Sequence, residues 1–196
     1  MPNPAQIYPF TLQSILIASF DITADTYGSP YDLDADQILE FDPQSDTDMM
    51  RDSGSVTRLL TVMTHANFTI TQGGIDFLAL GVMTNGVSGQ SYFEPEAGKT
   101  GLRYFGVLGV ASLDNDGVIV GGLRACKLDT PPMMKFDGQA NKFAVSDMKG
   151  KSIAVTASSV NRIYRFRRYA SLAAWEAAKP TDGTTFGTWL KAVNGA

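Results

Sequence analysis

The apolar positions of this chain come in short runs punctuated by Gly, Pro, Asp and Asn, a spacing that predicts strands joined by turns. The densest run spans residues 101–128, GLRYFGVLGVASLDNDGVIVGGLRACKL. It reads as two strands, residues 102–113 and 118–128, joined by the turn Asp114-Asn115-Asp116-Gly117. Aspartate–glycine steps favour tight hairpin turns, because Gly accepts φ > 0 and Asp hydrogen-bonds its own backbone. Both arms are too apolar for a sheet with one face in water. The hairpin therefore belongs at the centre, buried on both faces.

The other elements are read around it. Residues 1–12 carry Pro2, Pro4 and Pro9 among Ile7, Tyr8, Phe10 and Leu12, which excludes a helix or a central strand and predicts an arm lying on the domain or on a neighbour. Residues 14–22 form a first strand, and residues 24–36 a polar loop. A short second strand, residues 38–41, ends at Pro43. Residues 44–55, QSDTDMMRDSGS, have no apolar periodicity and read as a long loop, of the kind that is often functional. Met49 and Met50 at its tip suit contact with a partner. Residues 56–71 are a Thr-rich strand with a bend near His65, Ala66 and Asn67. Residues 75–83 have helical spacing, opened by Asp76 and ended by Asn85-Gly86.

Residues 87–100 connect to the hairpin, with Glu94 and Glu96 as ordinary loop charges. Residues 133–136 and 143–145 are short strands, and residues 152–157 a further one. Residues 163–169, IYRFRRY, alternate apolar and basic side chains, the mark of a half-buried strand. Ser171 caps a helix over residues 172–179 that Pro180 stops, and residues 186–193 carry Trp189. Trp175, Phe186 and Trp189 are expected to cover the domain's edge or to dock on another copy. This divides the chain into an N-terminal arm (1–12), a β-domain (13–168, with the loop 44–55) and a helical C-terminal arm (169–196).

At 196 residues and 44% hydrophobic content the chain can bury a real core as one domain. No apolar run is long enough for a membrane span, and the N-terminus lacks the basic-then-apolar pattern of a secretory signal. The single cysteine, Cys126, excludes an internal disulfide and reads as a buried strand thiol. His65 is the only histidine and has no cysteine partner nearby, so no metal site is expected. There is no nucleophile elbow, phosphate loop or paired acid and base at a fixed spacing, so neither catalysis nor a cofactor is expected.

The net charge of −4 hides an asymmetry. Residues 1–52 hold ten acids and a single base, Arg51, whereas the rest of the chain is net basic, most densely at Arg162, Arg165, Arg167 and Arg168. An acidic front and a basic back fit self-association, and they equally fit two solvated surfaces. No aromatic or glycine motif of a nucleic-acid-binding module accompanies the arginines.

The order of these pieces is similar to that of the tail tube (major tail) proteins of long-tailed bacteriophages. The Thr-rich strand, GGIDFLALGVMTNG, YFGVLGV, DNDG, LRACKLDTP and MMKFDGQANKFAVSDMKGKSIAV carry the resemblance, across most of residues 15–157. It implies a mainly β fold, a two-sheet β-sandwich with one flanking helix. Hexameric rings, whose inner sheets join in a ring-wide β-barrel, would stack into a hollow conduit for DNA. The partners implied are the chain itself and tape-measure, baseplate and terminator proteins; DNA would transit without specific binding, and no membrane is involved. The expected location is the virion tail, after synthesis in the host cytoplasm.

A conduit must not grip phosphates, so an acidic lumen is expected, with Asp21, Glu40 and Asp42 as its candidates. Candidate contacts between subunits are Tyr8, Phe10, Asp46, Asp48, Met49, Met50, Arg51 and Asp52. On the other side stand Arg162, Arg165, Arg167, Arg168, Trp175 and Trp189. The alternatives are another virion protein of the same fold (tail terminator, baseplate hub or contractile-tail inner tube) and a ligand-binding or enzymatic β-barrel.

Overall fold

The computed structural model describes residues 9–33, 37–52, 55–72, 77–89, 92–95, 102–113, 116–132, 134–137, 142–145, 147–155 and 162–192. Their elements are β1 (Pro9–Asp21), β2 (Thr26–Tyr27), β3 (Tyr31–Leu33), β4 (Gln37–Asp52), β5 (Ser55–Gln72), α1 (Phe77–Met83), β6 (Gly86–Gly89) and β7 (Tyr92–Pro95). They continue with β8 (Tyr104–Leu113), β9 (Val118–Leu128), β10 (Met134–Asp137), β11 (Lys142–Val145), β12 (Met148–Ile153), β13 (Tyr164–Tyr169), α2 (Leu172–Ala178) and α3 (Gly183–Lys191). The fold is mainly β. Its principal sheet is antiparallel and runs β2-β1-β8-β9-β12-β5-β4, with β3 added to β1 and β13 to β9. Two separate two-stranded ladders are β6–β7 and β10–β11.

The β8–β9 hairpin lies at the centre and is covered on both faces, as its apolar arms require. On one face Ile15, Ile17, Phe105, Val107 and Leu123 pack against Ala79, Leu80 and Met83 of α1. Phe68 and Ile70 of β5 join that core because the sheet curls over it. Phe68 meets Phe105 edge-on at 5.8 Å, and Leu39 of β4 lies so close over Gly109 that a Cβ there would fall 2.5 Å from its Cδ2. On the other face Leu16, Phe20, Leu108 and Val120 pack against Trp175 of α2 and Phe186, Trp189 and Leu190 of α3.

Three expectations are corrected. Most of the segment 44–55 is strand, not loop: residues 44–52 complete β4, paired with β5 to its end, and residues 53 and 54 lie outside the described residues. Its polar side chains gave no strand signal, yet backbone pairing needs none. Pro43 does not end the strand either, because β4 is the edge strand, where proline is tolerated. Similarly, residues 9–12 belong to β1, with Pro9 opposite Leu113; proline is tolerated as the first residue of a strand. Finally, the C-terminal helices are part of the core. Ser171 caps α2 by accepting from the Ala174 N–H, and Asp182 with Thr185 forms a capping box on α3. Between them they bury Trp175, Phe186 and Trp189, and Trp189 Nε1 donates to the Tyr169 hydroxyl at 2.7 Å.

The docking of α3 rests on a missing side chain. A Cβ on Gly183 would sit 1.9 Å from the Tyr27 carbonyl oxygen and 2.9 Å from that of Gly28, and backbone cannot swing aside. Gly183→Ala should cost about 2 kcal/mol, read as a lower denaturant midpoint at unchanged slope. A chain ending at Tyr169 strips one face of the sheet and should be recovered only as aggregate, measured by its soluble fraction after expression.

Candidate functional site

β12 pairs with β5 only from His65 to Ile70. Beyond that point, among the described residues, β4 and β5 pair only with each other and continue as a two-stranded arm whose base borders Ala154, Ile163 and Tyr164. The departure is marked by a register shift: Gln44 faces His65 but Ser45 faces Met63, so Thr64 is an extra residue in β5. Such a bulge bends a ladder, close to the bend expected near His65. From Ser45 to Asp52 the arm extends roughly 23 Å. An isolated two-stranded ladder is marginal in water, because neither face is buried. The base of this one leaves Val62 50% and Met63 41% exposed, with Asp46 exposed opposite Val62. The side chains of Asp48, Met49, Met50, Arg51 and Asp52 lie outside the described residues, as do Tyr8 and the side chain of Phe10.

The basic segment becomes β13, and its four arginines part company. Arg165 is buried: it donates to the Trp189 carbonyl and stacks 5.2 Å from the Trp189 ring. Burial, with Arg167 next in weight, lowers its pKa. Arg167 lies exposed over Tyr169 at 5.0 Å, and Arg162 is half-buried and donates to the Ala192 carbonyl at 3.4 Å. Arg168 is exposed, on the strand face of Tyr164 and Phe166. Arg165, Trp175 and Trp189 are thus satisfied within their own chain, which corrects their assignment to a contact between copies. Exposed positions on this side are Phe166 (55%), Arg167 and Arg168.

The three acids named for a lumen do not converge. Asp21 closes its own turn, accepting from the Thr23 and Ala24 N–H groups at 2.8 and 3.0 Å. Glu40 and Asp42 stand exposed on β4, several strands away. Their sheet face continues through Thr69 and Asn67 to Lys149 and Lys151, so it carries both signs of charge.

One charged group was not foreseen. Phe105 faces Cys126 while Val107 faces Leu123, so β9 holds one extra residue, and the bulge falls at Arg124-Ala125. The Arg124 side chain is almost wholly buried, and its Nη2 lies 2.8 and 3.1 Å from the two carboxylate oxygens of Asp25. Lys191 of α3 approaches the same carboxylate at 2.9 Å and donates to the Asp25 carbonyl. Tyr27 donates to the Arg124 carbonyl at 2.8 Å. Burial raises the Asp25 pKa, but Lys191 and Arg124 outweigh it, and the net direction is down. Asp25 holds φ 54°, which Asp tolerates better than most residues. The signal in the sequence was a lone arginine inside an apolar strand, since a buried guanidinium requires a partner. The group is structural: it fastens α3 and the β1–β2 turn to the sheet.

Cys126 is fully buried, and burial pushes its thiol well above the usual range. Among the described residues no cluster of His, Cys, Asp and Glu could hold a metal ion, and no helix is long and apolar enough to cross a membrane. No protein-family model matches the chain, and no curated protein sequence does.

Asp25→Asn should lower stability at neutral pH by about 3 kcal/mol, because it leaves Arg124 buried without this carboxylate. A carboxylate whose folded pKa is depressed stabilises above its unfolded pKa and loses that contribution as pH falls through the folded one. The unfolding curves of wild type and variant should therefore converge as pH drops below the ordinary carboxylate range.

Proposed function

We propose that this chain is a structural subunit of a viral tail tube, assembling with copies of itself into stacked hexameric rings around a DNA conduit. The observation that carries the reading is the β4–β5 arm. Among the described residues it is a long ladder without a third strand, and it has apolar residues exposed at its base. A chain gains nothing from such a projection alone, whereas a neighbouring copy can cover it and pair its edges. The family resemblance assigns the same segment to bridging between subunits or rings.

The rest of the surface supports assembly over catalysis. The groove beside α3 is lined by Asp25, Thr184, Thr188 and Lys191, and its acid and base are already paired with each other. The ion group around the buried Arg124, completed by Asp25 and Lys191, is spent on holding the fold. In this reading the sheet would extend from copy to copy into a ring-wide β-barrel, with two packed sheets in each subunit. The wall facing DNA would lack a dense cationic patch, since phosphates would be held by one.

Electron microscopy of the purified chain tests the proposal. Hollow tubes are expected at high concentration; isolated closed rings would favour a terminator or hub of the same fold, and a persistent monomer would oppose assembly altogether. A variant in which Gln44 is joined to His65 through Asn-Gly lacks the arm but keeps the sheet. It should unfold within a few degrees of wild type and form no tubes. Tubes of normal diameter from that variant would remove the basis of the reading.

A further inference from the structure

Two exposed positions of this fold combine a large apolar side chain with charge of one sign. The first is on β4, where Ile38 is 56% exposed and Glu40 and Asp42 follow it on the same outward face. Leu39 and Phe41, between them, turn inward to the core. The second is on β13, where Phe166 is 55% exposed beside Arg168. The Phe166 ring cannot retreat further: it already rests over Gly121, where a Cβ would fall 2.6 Å from it, and against Phe41 at 6.0 Å and Tyr164 at 5.7 Å.

Within one molecule these patches cannot meet. Phe166 touches β4 through Phe41, on the inward face, whereas Glu40 and Asp42 project from the opposite face of that strand. Among the described residues neither acid and no exposed arginine of β13 has an ion-pair partner. The basic residues nearest the acids on their own face, Lys149 and Lys151, are two strands away, roughly 10 Å. Each patch therefore presents an apolar centre and uncompensated charge, and the signs are opposite.

We infer that the Ile38–Glu40–Asp42 face of one copy seats on the Phe166–Arg168 patch of the next. The inference rests on the tube-subunit reading and deepens it by naming the contact. The two surfaces differ, so the contact is head-to-tail. It propagates from copy to copy and closes into a ring or continues as a filament, unlike a two-fold contact, which stops at a pair. Opposite charge sets the register, while burial of Ile38 and Phe166 supplies the attraction. The inference also gives Glu40 and Asp42 a place in the subunit contact instead of the bore.

Two variants at exposed positions test it. One is Glu40→Arg with Asp42→Arg; the other is Phe166→Ser with Arg168→Ser. The first should unfold like wild type and the second a few degrees lower, because the ring gives up its contacts with Phe41 and Tyr164, and each alone should raise the concentration needed for assembly at least tenfold. Mixed in equal amounts they should form one-to-one pairs that do not grow, seen by sedimentation velocity, because only one intact face of each kind remains per pair. Assembly of either variant at the wild-type concentration, or no pair in the mixture, overturns the contact; if wild-type tubes still form, the tube reading stands. Wild-type chains that stay single at every concentration sink both.

Discussion

Strand β9 gives its outer edge to two strands in turn, β13 along residues 118–123 and β12 along residues 125–128. The handover falls on Arg124, the bulged residue, whose N–H crosses to the Ile163 carbonyl at 3.1 Å. A bulge re-aims its side chain, and here it drives a guanidinium into the face otherwise filled by Leu16, Phe20, Leu108 and Trp189. Taking that charge out of water costs several kcal/mol unless a counter-charge meets it. Asp25 supplies it from the β1–β2 turn, and Lys191 shares the carboxylate from the last helix. One ion group thus ties the fork in the sheet to a turn at one edge and to the end of the chain. The C-terminal helices follow from it, since they bring Lys191 and close the apolar face around the pair.

The fork also explains the arm. Because β12 is short and β13 follows β9 instead of β5, β4 is the only strand paired with β5 beyond His65 among the described residues. The ladder of β4 and β5 nevertheless continues, since its backbone hydrogen bonds are internal to the pair. It projects from the sheet with its edges unclaimed among the described residues. Native sheets usually blunt such edges with charge, and the acids along β4 are of that kind. In an assembling protein the same charges select which surface is admitted, because like charges repel and opposite ones fix a register.

Much of this fold could be read from single stretches. The β8–β9 hairpin announced itself by apolar arms around Asp116-Gly117, and both faces are buried as that pattern demands. The caps at Ser171 and the stop at Pro180 were likewise local, since a cap is made by residues three apart. The alternation in residues 163–169 gave the strand, though not that Arg165 would be the buried member of its basic set. Residues 44–52 misled because their strand depends on β5, and a polar segment carries no sign of the partner that pairs with it.

The sequence by itself determined what depends on near neighbours: hairpin, caps, turn residues, and the split between an acidic front and a basic back. Only the tertiary structure decided which aromatic and cationic side chains are consumed inside the molecule. Trp175, Trp189 and Arg165 looked free for a neighbour, yet each finds its partner within the chain, across the sheet or along it. Phe166, Ile38 and Arg168 look no different in the sequence and stay exposed. The physical reason is that burial is a property of what lies opposite. The bulge at Arg124, which sets where β13 and the last helices fall, depends on a carboxylate ninety-nine positions away.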